Sequence, residues 1–145
     1  MDTDVEAKLV EVGPEGFAQN LTEGIVRARY RDSRETATLM NPGQVYKFSI
    51  DLWSTSNVFK KGHVLRLEVS SSNFPRFDRN LNTAEQPEVG SEFVPATNLI
   101  YHDAQHPPAL ALPVVPAALL NETQRPQPQA QPAWAHFLGR RYTSG

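Results

Sequence analysis

Between Val45 and Leu52 the chain alternates cleanly: Tyr46, Phe48, Ile50 and Leu52 fall on one side of an extended backbone, and Lys47, Ser49 and Asp51 on the other. A period of two sustained over that length is the mark of a strand with one covered face and one solvated face. The same period recurs elsewhere. Val5–Val12 sets Val5, Ala7 and Leu9 against Glu6 and Lys8, and loses phase at Val10. Gly24–Arg31 puts Val26, Ala28 and Tyr30 opposite Arg27, Arg29 and Arg31. Val64–Ser71 points Leu65, Leu67 and Val69 inward. Thr97–Asp103 and Ala109–Val115 read as two more strands, separated by His106-Pro107-Pro108. Turn chemistry stands between them at Gly13-Pro14-Glu15-Gly16, Asn41-Pro42-Gly43 and Lys60–His63, where Pro pre-sets φ and Gly tolerates the exit conformation. Asn73–Pro95 reads as a long polar loop. With no long helical period, the pattern predicts an all-β sandwich or barrel.

At 145 residues the chain has room for one domain, predicted over residues 1–115. Residues 116–145 differ. Gln124–Pro132 is a Pro/Gln-rich stretch that buries nothing, and residues 133–142 place Trp134, Phe137, Leu138 and Arg141 at helical spacing. So short a helix is marginal without a surface to dock on, so this segment is expected to be a flexible tail. A net charge of −2 argues against a nucleic-acid partner, and no run of about 18 apolar residues is present to span a membrane. Met1-Asp2-Thr3-Asp4 is acidic and polar, unlike a signal peptide. The absence of cysteine removes disulfides, thiolate metal sites and a thiol nucleophile, and fits a cytoplasmic rather than an exported protein.

The chemistry-bearing residues do not assemble into a catalytic set. There is no G-x-S-x-G elbow, and Ser70, Ser71 and Ser72 end a strand without a glycine frame. His63, His102, His106 and Asp103 read as ordinary loop and strand-end residues. The spacing of His102 and His106 would suit a metal on a helix, but a strand precedes them and two prolines follow. No cofactor, metal site or catalytic residue is therefore expected. Asn73–Asn80 is the most informative loop. Phe74 and Phe77 are read either as caps on the core, with Asp78 paired to Arg76 or Arg79, or as part of a docking surface made of Phe74, Arg76, Phe77, Asp78 and Arg79. Aromatic and arginine side chains are the types that dominate interfaces. Trp53, which ends the cleanest alternation, is either a core residue or a member of that surface.

Four segments resemble a known family: NLTEGIVRARYR over Asn20–Arg31, DLWSTSNVFKKGH over Asp51–His63, SSSNFPRFDRN over Ser70–Asn80, and Tyr101-His102-Asp103 followed by His106-Pro107. In order and spacing they are similar to the C-terminal domain shared by cocaine esterase, glutaryl-7-aminocephalosporanic acid acylase, α-amino acid ester hydrolase and Xaa-Pro dipeptidyl-peptidase. The resemblance implies a jelly-roll sandwich of galactose-binding-like type, packed on an α/β-hydrolase domain that carries the Ser-His-Asp triad. It therefore implies a non-catalytic chain that docks on that domain and supports its fold, its active-site entrance or its oligomerisation. It also implies that the sandwich begins some strands before Met1. The chain would then carry an unpaired sheet edge and an exposed apolar face, and would self-associate or be unstable. The alternative is a carbohydrate-binding module, with Trp53, Phe59, Phe74 and Phe77 as platforms and Asn57 and Arg76 as polar partners.

Overall fold

A computed structural model describes residues 1–86, 89–116 and 119. The Pro/Gln stretch and the helix expected over 133–142 lie outside the described residues. The chain divides into two compact units, Met1–Ile100 and Tyr101–Gly145.

The first unit is built on an antiparallel sheet of β1 (Asp4–Val12), β2 (Ala18–Arg27) and β3 (Val64–Ser70), in the order β2-β1-β3. The turn signal at Gly13–Gly16 closes the first hairpin. Gly13 N donates to Phe17 O at 2.8 Å, and Gly16 takes φ +85°, a conformation open to glycine at no steric cost. Apart from a 3-10 turn at Ala28–Tyr30, the regular structure among the described residues is strand. The all-β architecture read from the sequence is therefore what the chain adopts, in keeping with a β-sandwich.

The lost phase at Val10 has a physical cause. The pairing runs Leu9↔Thr22 and then Val10↔Asn20, so Leu21 is an extra residue bulged out of β2. β1 is also the central strand, and Leu9 and Val10, on opposite faces, are both buried. A strand covered on both sides reads as a continuous rather than an alternating run.

Several expected strands differ in the structure. β2 begins at Ala18, not Gly24, and ends at Arg27. Beyond it the backbone tightens into the 3-10 turn, because Ala28 N donates to Thr3 O at 2.8 Å and Asp2 draws Arg29 inward. Val45–Leu52 keeps its alternation, with Tyr46, Phe48, Ile50 and Leu52 half-buried and Lys47, Ser49 and Asp51 exposed, but it joins no ladder among the described residues. It crosses a sheet face instead of extending an edge. Leu65, Leu67 and Val69, expected inward, are about two-fifths exposed, at 39%, 38% and 41%. Thr97–Asp103 and Ala109–Val115 form no strand among the described residues. The Asp103 side chain instead captures the amides of Gln105 and His106 into a turn, and Pro113 cannot donate to a ladder.

Candidate docking surface

Directly paired residues of an antiparallel sheet share a face, and the register sorts the side chains accordingly. Asp4 pairs with Arg27 and Lys8 with Glu23, so Asp4, Glu6, Lys8, Arg27 and Glu23 lie on one face. Asp2, Asp4 and Glu6 are buried there. Buried carboxylates are tolerable only when each is paired and hydrogen-bonded. Arg29 donates to Asp2 twice, from Nε at 2.6 Å and from its backbone N at 2.8 Å. Arg27 grips Asp4 through Nε at 3.0 Å and Nη2 at 3.3 Å, and this hydrogen bonding holds the guanidinium well above its ordinary pKa. Ser70 Oγ donates to Glu6 at 2.6 Å, and Lys8 Nζ lies 3.4 Å from the same carboxylate.

The loop after β3 is fastened to this face by its side chains. Asn80 Nδ2 donates to both Asp2, at 3.0 Å, and Asp4, at 2.8 Å. Arg29 Nη2 donates to the carbonyls of Thr83 and Glu85, at 3.1 and 2.8 Å. Asp78 accepts from Arg27 at 3.2 Å, and Arg76 pairs with Glu23. Asp78 thus finds its partner on β2 rather than in Arg76 or Arg79, its sequence neighbours. The Phe74–Pro75 peptide is cis, and Phe74 is 65% exposed, so it is no cap on the core. Phe77 is half-buried. Arg79 lies 5.8 Å over the Phe74 ring and Arg76 lies 5.6 Å over Phe77. Arg76 and Asp78 therefore face the sheet, while Phe74 and Arg79 form the outward side of the loop.

Trp53 belongs to the opposite face. Ala7 pairs with Gly24 and Leu9 with Thr22 on that side, and the Ile50–Trp53 segment crosses over them. Thr22 Oγ1 donates to Leu52 O, and the Asp51 carbonyl sits directly against Gly24. Trp53 is 80% exposed, so the core alternative fails. Its φ is +63°, in the left-handed region that a bulky residue rarely adopts, and its N donates to Asp51 Oδ1 at 2.8 Å. The structure therefore brings Phe74, Arg76, Phe77, Asp78 and Arg79 together, and sets Trp53 apart from them across the sheet.

Further along the Trp53 side, Glu11 accepts from Asn57 Nδ2 at 3.0 Å and lies 2.8 Å from His63 Nδ1. The Asn57 bond first, and the His63 charge after it, lower the Glu11 pKa. A lowered carboxylate pKa contributes stability that is present above the unfolded value and is lost as pH falls through the folded one. Glu11→Gln is thus expected to be less stable than the parent at neutral pH and to lose less on acidification. Thermal melts from neutral pH down through the carboxylate range check this, and parallel curves for the two proteins would contradict it.

Other polar constellations are locally satisfied. Asp103 Oδ1 accepts from the amides of Gln105, at 2.9 Å, and His106, at 2.8 Å, and lies 3.0 Å from His106 Nδ1. The His106 amide is the main cause of its lowered pKa. Among the described residues no group of three potential ligands is placed to hold a metal. A cleft of about 240 Å³ lies between Asp4, Val5, Val69–Ser71 and the segment around Asn98, but its Asp4 and Ser70 are already engaged. The polar partners that a sugar platform would need are also engaged, Asn57 by Glu11 and Arg76 by Glu23.

Comparison with known proteins adds to this geometry. Residues 1–111 match the family described as the X-Pro dipeptidyl-peptidase C-terminal non-catalytic domain. Over 120 residues the chain is 46% identical to cocaine esterase of Rhodococcus sp. (strain MB1 Bresler), covering 79% of this chain and 20% of the esterase. The crystal structure of an aminopeptidase from a marine-sediment Thaumarchaeota archaeon superimposes with a TM-score of 0.55 at 32% identity, over 60% of this chain and 17% of the aminopeptidase chain. The matched region spans about a fifth of each of these relatives.

Proposed function

The chain belongs to the X-Pro dipeptidyl-peptidase C-terminal non-catalytic domain family, and from that premise we propose that it serves as the accessory β-sandwich of a serine ester or amide hydrolase, seated on the catalytic α/β-hydrolase domain. The observation that carries this reading is Trp53, which is held at positive φ with four-fifths of its surface exposed. A strained tryptophan with so little of its surface covered gains little from the fold that holds it, and it is the residue type most enriched in interface hot spots. Phe74 and Arg79 offer a second anchor on the other side of the sheet. The same domain would steady the active-site entrance and, through the open edge of β3, assist oligomerisation.

A binding titration of the chain against the catalytic portion of cocaine esterase, prepared without its own C-terminal region, tests the proposal. Trp53→Ala is expected to weaken binding roughly thirtyfold, the scale of an interface hot spot. Trp53→Gly separates docking from folding. It relieves the positive-φ penalty, so the melting temperature should hold or rise while binding falls just as far. Absence of binding by the parent chain, or undiminished binding by both variants, would overturn the proposal.

A further inference from the structure

Trp53 sits between two fastenings of one segment. Before it, Thr22 Oγ1 donates to Leu52 O, and Trp53 N itself donates to Asp51 Oδ1 at 2.8 Å. After it, Asn57 Nδ2 donates to Glu11 Oε2 at 3.0 Å. Ser54, Thr55 and Ser56 lie between the two and are exposed. A left-handed backbone at a bulky residue is costly, and it persists only where the surroundings fix the chain around it. We infer that the Asn57–Glu11 hydrogen bond is what holds Trp53 in its docking conformation, with Glu11 as the positioning residue. This inference rests on the docking role proposed for Trp53 and adds the means by which the ring is held ready.

Glu11 is itself firmly placed. It is buried on the central strand, opposite Gln19 of β2 and Leu65 of β3. His63 Nδ1 lies 2.8 Å from its Oε1, which leaves Oε2 for Asn57. The Lys60 backbone N–H donates to the same carboxylate. His63 N donates to Lys60 O at 3.1 Å, closing a turn that Gly62 enters at φ +87°. One ionised carboxylate thus gathers Asn57, Lys60 and His63 against β1, and hydrogen bonds to a charged group are the stronger kind. Turning φ of Trp53 back to the common negative region swings the chain that follows it. A fixed Asn57 opposes that swing, and a free Asn57 permits it.

Asn57→Ala tests this in the 145-residue chain. Asn57 is exposed, and the substitution leaves Glu11 its contacts with His63 and Lys60, so circular dichroism should be that of the parent. With Trp134 replaced by Phe, Trp53 is the sole tryptophan. Its fluorescence anisotropy should then decay with the tumbling of the whole domain, and Asn57→Ala should add a fast local component. In the titration against the catalytic portion of cocaine esterase, Asn57→Ala should weaken binding about tenfold when Trp53 is present. In a Trp53→Gly chain it should change binding by less than about twofold, because no ring remains to be held. Anisotropy decays that coincide with and without Asn57 would overturn the inference. So would an equal loss of binding in both backgrounds, since Asn57 would then act through something other than Trp53. A parent chain that does not bind, but whose Trp53 is freed by Asn57→Ala, would leave the holding bond standing and overturn the docking role.

Discussion

Asp2→Ala is expected to remove about 3–5 kcal/mol from the stability of the domain, the scale of breaking a buried ion pair from one side. The Asp2 side chain is fully buried and the Arg29 side chain is 2% exposed. Without the carboxylate, the guanidinium keeps only the carbonyls of Thr83 and Glu85, and its charge is left uncompensated. The Arg29 amide and Asn80 Nδ2 lose an acceptor as well. For a domain whose whole margin is on the order of 5–15 kcal/mol, the loss approaches unfolding. Urea denaturation gives the number. A double-mutant cycle with Arg29→Ala should show strong coupling, the double variant falling well short of the sum of the two. A single-variant loss below about 1 kcal/mol would mean that the pair does not carry the clasp.

Gly24→Ala should be nearly as damaging, by a purely steric route. A Cβ built on Gly24 would collide with the Asp51 carbonyl oxygen, and would lie 3.0 Å from its carbon and 3.2 Å from Ile50 Cγ2. Backbone, not a flexible side-chain end, occupies the space, so the crossing segment must lift. Overpacking of this kind costs about 1–3 kcal/mol, and the hydrogen bond from Thr22 to Leu52 is stretched with it. Thr22→Val, which removes that bond but keeps the shape, should cost only about 1 kcal/mol. The segment that lifts carries Trp53, so Gly24→Ala should reduce docking as well as stability, whereas Trp53→Gly reduces docking alone. Thermal melts read alongside the binding titration separate the two, and a Gly24→Ala chain with parental melting and binding would show that the crossing segment does not need this close approach.

The alternation in Val45–Leu52 correctly named the side chains that turn inward, because that property belongs to the residues themselves. It could not show that the segment crosses the sheet, since the glycine that admits it lies in another strand. The carboxylates at and just before the start of β1 were hidden more deeply. Asp2 and Asp4 look like a solvated acidic terminus until Arg27, Arg29 and Asn80 arrive from elsewhere in the chain. A signal was present: Asp2, Asp4 and Glu6 keep the strand's own period of two, and Arg27 and Arg29 repeat it in the partner sequence. The segments that carried the family resemblance are also those that interlock, Asn20–Arg31 supplying Glu23, Arg27 and Arg29, and Ser70–Asn80 supplying Arg76, Asp78 and Asn80. The outward side of the loop was not legible, because composition does not say which arginine turns in and which turns out.

That division within one short loop separates two kinds of inheritance. Arg76, Asp78 and Asn80 are bonded to the sheet beneath them. Phe74 and Arg79 lie above, and on the docking reading proposed here they answer to the catalytic domain. A lineage can rewrite those two positions to follow a diverging partner while the attachment below stays constant. One scaffold can in this way accompany hydrolases of different specificity without being rebuilt for each.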